Sequence, residues 1–325
     1  MKIACIMDPI EKVGIHVDTT FGWMLAAQAR GHELYYVRPA DLVADGNNAS
    51  CWATPVSVRM PTGAEPHFEL GETAFLAFAH FDVAWMRRDP PFDTDYLYST
   101  YILELAEERG DCWVINHPRA LRDANEKAFI LHFPELTPRT MVTRRKDRIK
   151  DFMREEGGRC IVKPLVGHGG EEVFMAQQDD LNLNTILEVV TRHESRYIMA
   201  QTYVPEARIG DKRVILVNGE PLGGVLRVPS AGELRGNLHV GGSAVKADLT
   251  PRDLEICDAL RPRLQQQGLY FVGIDILGDY LTEVNVTSPT GIREMSILDG
   301  QDYADRWIAW IEDPRLGRSA PVARG

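Results

Sequence analysis

What most limits how this chain can fold is the pattern at its start. An apolar run from Lys2 to Met7 is halted by Asp8-Pro9, a helical pattern covers Thr20 to Arg30, and a second apolar run covers Leu34 to Val37. In the helical pattern Phe21, Met24, Leu25 and Gln28 recur along a face, and Gly31 supplies the stop. A strand, a helix and a strand in that order predict a parallel pair with a right-handed crossover, the seed of a doubly wound sheet. The first turn reads Asp8-Pro9-Ile10-Glu11, without a glycine fingerprint, so this lobe is not expected to cradle a pyrophosphate.

Further along, Asp45 to Glu72 is rich in Gly, Pro and Asn and reads as an excursion around a short strand. Phe81 to Met86 predicts a third strand, Tyr96 to Arg109 a helix closed by Gly110, and Val114-Ile115-Asn116 the end of the lobe. Beyond Leu121 the texture changes. A helix is expected over Asp123 to Leu131, then short strands joined by turns: Cys160 to Lys163 and Val173 to Met175 around a glycine loop, Tyr197 to Tyr203, and Val214 to Val217 before the hairpin signal Asn218-Gly219. Thr250-Pro251 opens a helix with Leu254, Cys257, Leu260 and Leu264 on one side and Gly268 at its end; Asp302 to Glu312 predicts the last helix.

With 325 residues, one core does not suffice, and two or three packed lobes are expected. Lys and Arg number 36 against 47 Asp and Glu, so 36 − 47 gives a net charge of −11. That balance repels phosphate backbones and anionic lipid, so neither nucleic acid nor a membrane is an expected partner. Nucleotide binding depends on a local site and is not excluded. Five scattered cysteines form no CxxC pair, and the opening apolar run is too short for a signal peptide, which together predict a cytoplasmic protein.

The stretch Phe271 to Asn285 carries the most chemistry. On a strand Glu283 and Asn285 share a face, and Val284 and Val286 take the other. If Asp275 joins them, three oxygen donors suit a hard cation such as Mg2+, which accepts few protein ligands and completes its shell with phosphate oxygens. A plain two-residue turn at Gly278-Asp279 would set Asp275 opposite Thr282 and the acids on opposite faces. A bulge or a three-residue turn would set it opposite Glu283, and that register is the one expected. The competing account is a half-exposed hairpin with a polar face; the flanking apolar residues argue for burial, where unpaired carboxylates are costly.

Lys163 ends an apolar strand just before the loop Gly167-His168-Gly169-Gly170, whose amides could close over phosphate oxygens, although the same glycines could form only a hairpin turn. Lys127 follows Asn125-Glu126 and alone would pass for a surface group. Arg213, Arg227, Arg235 and Arg293 are candidates for gripping carboxylate or phosphate, and residues 228–243, with four glycines, read as a lid or simply a loose loop.

The order of these parts resembles the ATP-grasp pattern. Met7-Asp-Pro-Ile10, Asp18-Thr-Thr-Phe21, Met86-Arg-Arg-Asp-Pro-Pro-Phe-Asp93, Asn125-Glu-Lys127 and Thr282-Glu-Val-Asn-Val-Thr-Ser-Pro-Thr-Gly-Ile-Arg293 look like the bacterial glutathione synthetases. The resemblance implies an α/β chain: an N-terminal Rossmann-like (pre-ATP-grasp) parallel-sheet lobe over 1–122, then a two-lobed ATP-grasp α+β unit with a central lobe over 123–200 and a C-terminal lobe over 201–316, and a tail over 317–325. It implies ATP between the last two lobes, held by Lys127, Lys163, Gly167, Gly169, Gly170, Ala200, Gln201, Tyr203 and Asp211. It implies Mg2+, with Mn2+ as a substitute, on Asp275, Glu283 and Asn285, and catalysis by Arg213 with Lys163. Arg87, Arg227, Arg235, Ser288 and Arg293 would position γ-glutamylcysteine, glycine would be the amine, and the chain would form a homotetramer. The flap Val166-Gly-His-Gly-Gly-Glu-Glu and the stretch Asn237 to Lys246 depart from the strings of many relatives. Two rivals remain: another carboxylate–amine ligase of the RimK type, against which Asp89-Pro-Pro-Phe-Asp93 argues, and a non-catalytic nucleotide-binding regulator, against which the intact lysines and acids argue.

Overall fold

A computed structural model describes residues 1–63, 65–167, 171–230 and 242–313. Among these, three sheets organise the chain. In the first, β1 (Lys2–Met7) is central and runs parallel to β2 (Glu33–Val37) on one side and β7 (Val83–Arg87) on the other, with β8 (Trp113–Ile115) parallel beyond β7. The β1–β2 crossover is α1 (Thr19–Ala29), capped by the Asp18 carboxylate, which accepts from Phe21 N. It buries Phe21, Trp23 and Met24. Helix α2 (Thr94–Arg109) starts on the Asp93 carboxylate and stops at Gly110, whose φ of 71° only glycine adopts freely.

The Gly/Pro-rich excursion holds more than a short strand. It holds an eleven-residue β4 (Asn48–Val58) and β5 (Phe68–Leu70), flanked by β3 (Leu42–Asp45) and β6 (Ala74–Ala77), with β4 antiparallel to β2. Ala49, Cys51, Ala53, Val56 and Val58 turn inward along β4. Small apolar residues carry much of that alternation, so composition hid it.

The second sheet is antiparallel, in the order β11-β10-β12-β9: β9 (Thr140–Thr143), β10 (Arg159–Pro164), β11 (Phe174–Gln177) and β12 (Ile198–Gln201). Two helices that the strand-and-turn reading lacks cover it. Helix α4 (Lys146–Glu155) buries Ile149, Phe152 and Met153, and α5 (Leu183–Thr191) buries Leu183, Leu187 and Val190. Their apolar residues recur at three- and four-residue spacing, the signature of a helix laid on a sheet. The segment before this sheet also differs from expectation. A short α3 (Pro118–Asp123) ends at Ala124, and a 3-10 turn follows over Ala128–His132. The Asn125 carboxamide oxygen accepts from Lys127 N and Ala128 N, a side-chain turn that competes with continuing the helix. Lys127 thus stands at a turn, not on a helix.

The third sheet runs β15-β14-β13-β16-β17: β13 (Asp211–Val217), β14 (Glu220–Val228), β15 (Ser243–Lys246), β16 (Phe271–Leu277) and β17 (Tyr280–Asn285). Asn218 and Gly219 close β13 to β14 at positive φ. Helix α6 (Pro251–Gln267) begins with a Thr250/Asp253 capping box and buries Ile256, Cys257, Leu260 and Leu264; Leu254, expected on that side, is 42% exposed. Helix α7 (Ile292–Asp299), which the sequence reading lacks, and α8 (Tyr303–Ile311) return to the first sheet, where the Trp307 ring lies 5.0 Å from both Trp23 and Phe271. No helix among the described residues is long and apolar enough to cross a membrane.

Candidate functional site

The β16–β17 hairpin decides where the acids lie. Around Gly278-Asp279, Leu277 faces Tyr280 and Ile276 faces Leu281, and a plain ladder would next pair Asp275 with Thr282. Instead the register shifts there, and Asp275 faces Glu283, Ile274 faces Val284, and Gly273 faces Asn285. Thr282 is the extra residue, and its hydroxyl donates to the Asp275 carbonyl at 3.0 Å. Directly opposed residues share a face, so the bulge puts Asp275, Glu283 and Asn285 together. The Asn285 amide lies 3.3 Å from Asp275 Oδ2, while Val284 and Val286 are fully buried on the other side.

Asp275 is 4% exposed and saturated by arginine. Arg213, one strand away and directly opposite it, donates through Nε and Nη2; Arg227 Nη2 lies 2.9 Å from Oδ2 and also pairs with Asp211. Burial alone would raise the Asp275 carboxyl's pKa, but the two guanidinium groups hold it well below the usual carboxylate range. Gly273 makes room for this arrangement. A Cβ there would stand 2.8 Å from Pro289 Cβ and 3.1 Å from Arg213 Cδ.

Glu283 faces two lysines from different parts of the chain. Lys127 Nζ is 3.9 Å and Lys163 Nζ 3.8 Å from Glu283 Oε1. Lys127 also donates to the Gly167 carbonyl at 2.8 Å, the root of the glycine loop, and Lys163 to the Thr282 carbonyl at 3.4 Å. Burial lowers the Lys163 pKa, Glu283 pulls it back up, and Lys127 lowers it again. Two buried ammonium groups this close need more negative charge than one carboxylate supplies, which fits a polyanionic ligand.

Ala200, Gln201 and Tyr203, expected to hold ATP, are buried. Ala200 sits on β12 opposite Val162, Gln201 Nε2 donates to Thr140 Oγ1 at 2.8 Å, and the Tyr203 hydroxyl is buried without a partner among the described residues. Arg87 and Arg293 are not brought onto Asp275. Arg87 lies across Trp23 and donates to Thr20 Oγ1 and the Pro289 carbonyl, both at 3.0 Å; burial lowers its pKa to about 10, so it stays charged at neutral pH. Arg293 Nη2 donates to the Ile15 carbonyl at 3.3 Å, in the first lobe. Ser288 is half-buried in the loop after β17. Gly169, Gly170 and Arg235 lie outside the described residues, as do most of 228–243.

Sequence reasoning assigned nothing to Glu294. Its Oε2 is buried with no hydrogen-bond partner among the described residues; burial raises its pKa against the lowering pull of Arg213, Arg293 and Arg227. It lies one residue beyond the Thr282–Arg293 string and carries no other signal in the sequence. Among the described residues no three His, Cys, Asp or Glu side chains form a ready-made metal cage. The donor set is two carboxylates and an amide on one face, all capable of oxygen ligation, which fits Mg2+ with substrate oxygens completing its shell.

The chain matches two family models: prokaryotic glutathione synthetase, N-terminal domain, over residues 1–122, and prokaryotic glutathione synthetase, ATP-grasp domain, over residues 126–300. It is 46% identical over 319 residues to a glutathione synthetase of Shewanella oneidensis, covering 98% of this chain and 100% of that one. Against a glutathione synthetase of Coxiella burnetii the identity is 44% over 313 residues, with 96% of each chain covered. Among solved structures, the ATP-grasp ligase PsnB complexed with minimal precursor, Mg, and ADP superposes with a TM-score of 0.58 at 17% identity, covering 95% of this chain and 97% of that one, a likeness of fold.

Proposed function

The chain belongs to the prokaryotic glutathione synthetases, and from that premise we propose how its residues divide the reaction. It is an ATP-dependent carboxylate–amine ligase that joins γ-glutamylcysteine to glycine. A carboxylate is a poor electrophile until one of its oxygens becomes a leaving group. In the proposed sequence, the cysteinyl carboxylate oxygen attacks the γ-phosphorus of ATP and ADP departs. The glycine nitrogen, having lost a proton, then attacks the carbonyl carbon of the acyl phosphate, and phosphate leaves as the amide forms.

Lys127 and Lys163 would neutralise the triphosphate from two sides of the glycine-loop root. Arg213 would donate to the transferring phosphoryl group and to the oxyanion, where fixed donors lower a barrier most effectively. Asp275, Glu283 and Asn285 would hold Mg2+, or Mn2+ in its place, and the bound ion supplies Lewis-acid neutralisation of phosphate charge. Ala200, Gln201 and Tyr203 would flank the adenine, Asp211 would orient Arg227, and Arg87, Arg227, Arg235, Ser288 and Arg293 would position the dipeptide. The observation that supports this division is the approach of Lys127, Lys163, Arg213 and Arg227 to the two acids of one bulged hairpin. The five free, buried thiols support a cytoplasmic location; a homotetramer is proposed from the family resemblance alone.

The test is phosphate release from ATP with γ-glutamylcysteine, with and without glycine, in Mg2+. Release that depends on the dipeptide, together with glutathione formed when glycine is present, is the expected result. Release needing neither dipeptide nor amine would overturn the reading.

A further inference from the structure

Glu126 has no part in the scheme above, yet four hydrogen bonds converge on it. Its Oε1 accepts from Val286 N at 2.8 Å, Thr287 N at 3.0 Å and the Thr287 hydroxyl at 2.8 Å. Its backbone carbonyl accepts from Val284 N at 2.9 Å. All four donors belong to the end of β17 and the loop that follows it. Val286 is fully buried and Thr287 is 4% exposed, so these groups have little water to turn to if the carboxylate is removed.

That loop goes on to orient two arginines. The Pro289 carbonyl accepts from Arg87 and the Thr290 carbonyl accepts from Arg213 Nη1 at 3.2 Å. On the other side of Glu126, Asn125 Nδ2 donates to the Leu165 carbonyl at 3.1 Å, and Lys127 reaches the Gly167 carbonyl. Three consecutive side chains therefore brace the root of the glycine loop on one flank and the arginine-holding loop on the other.

We propose that Glu126 is a positioning residue, which sets the separation between the Lys127 ammonium and the Arg213 guanidinium by pinning residues 284–287 to the turn that carries Lys127. Three donors on one oxygen restrain the loop in more than one direction, and an ionised acceptor makes each bond shorter and stronger than a neutral one would. The proposal rests on the reading of Lys127 and Arg213 as the groups that handle the phosphoryl transfer. A brace with no bearing on the chemistry would affect only folding; this one is expected to govern turnover in fully folded protein.

The test compares wild type with Glu126→Gln and Glu126→Asp, using thermal melts and steady-state kinetics for each substrate. Gln keeps an acceptor oxygen at the same reach and is expected within ~3-fold of wild-type kcat, the loss being that of a charge-assisted bond. Asp withdraws the oxygen by roughly one C–C bond, ~1.5 Å. It is expected to fold yet to lose ~10- to 100-fold in kcat, the scale of a misplaced catalytic group, with smaller changes in KM for glycine and dipeptide. A folded Asp variant with wild-type kcat would overturn the proposal. So would a Gln variant as impaired as Asp, because charge rather than placement would then be at issue. If Asp fails to fold, Thr287→Val, which removes the hydroxyl that donates to Glu126 Oε1, takes its place: a folded variant with lowered kcat supports the proposal, and one with wild-type kcat overturns it. A wild type without dipeptide-dependent turnover would instead strike the reaction reading; ADP affinity in Mg2+ then decides for Glu126, weakened by Asp but not Gln if the brace sets the site, unchanged by both if it does not.

Discussion

Replacing Asp275 with Asn separates two accounts of the ligand-free site. If Asp275 chiefly waits for a cation, then in the free protein it is a carboxylate directly opposite Glu283, and Asn should relieve repulsion. If it is chiefly the counter-charge of Arg213 and Arg227, Asn leaves two buried guanidinium groups facing a neutral partner. The structure favours the second account: Asp275 is 4% exposed, and Arg213 and Arg227 both donate to its carboxylate. Removing one partner of a buried pair costs about 3–5 kcal/mol, and because Asn keeps one acceptor oxygen the lower end, about 3 kcal/mol, applies. That is a roughly 100-fold change in the folding equilibrium. Urea unfolding of ligand-free protein, followed by circular dichroism at pH 7, measures it. The pH dependence has a defined sign. The native carboxyl binds its proton less readily than the unfolded one, which titrates near ~3.9, so its contribution is present above that pH and declines as pH falls below it. The gap between wild type and Asn should therefore narrow below pH ~4. An Asn variant as stable as wild type at pH 7 would refute the arginine-clamp reasoning.

Lys163→Ala and Glu283→Gln should each lower kcat by at least ~10²-fold in protein that still folds, because both side chains belong to the proposed phosphate site; near-normal turnover in either would remove that residue from its role. All five cysteines are buried, and burial pushes the thiols of Cys51, Cys160 and Cys257 up to about 12. An aromatic disulfide reagent should accordingly react slowly with the native protein and titrate five thiols after denaturation; rapid labelling of one thiol in the native state would contradict this packing.

How much of this was legible in the residues follows from the range of the forces involved. The β1–α1–β2 opening was readable because periodicity, an Asp cap and a glycine stop all act within a few residues. Helices α4 (ten residues) and α5 (nine residues) are not legible because each is short and its apolar residues, Ile149-Phe152-Met153 and Leu183-Leu187-Val190, take their stability from packing on β10 rather than from helix propensity. Lys127 was placed on a helix because Asp123 to Leu131 has helical composition; the Asn125 side chain breaks that pattern through its own hydrogen bonds, and propensity does not register such a contact.

The acids of the third sheet are the opposite case, in which a single local irregularity carries a long-range consequence. Gly278-Asp279 announces a turn but leaves the register open, and one residue decides it. Only with Thr282 bulged out do Asp275 and Glu283 share a face; without the bulge Glu283 would face the core and Val284 the lysines. A side-chain hydrogen bond at the bulge is already visible, Thr282 hydroxyl to Asp275 carbonyl. A second restraint comes from 160 residues away, where Glu126 grips Val286 and, with its backbone carbonyl, Val284. A one-residue slip of β17 would break both bonds at once and bury Glu283 unpaired. The register is thereby specified by one contact beside Asp275 and one from far along the chain, and the face proposed to bind a cation depends on a contact that no window around Asp275 contains.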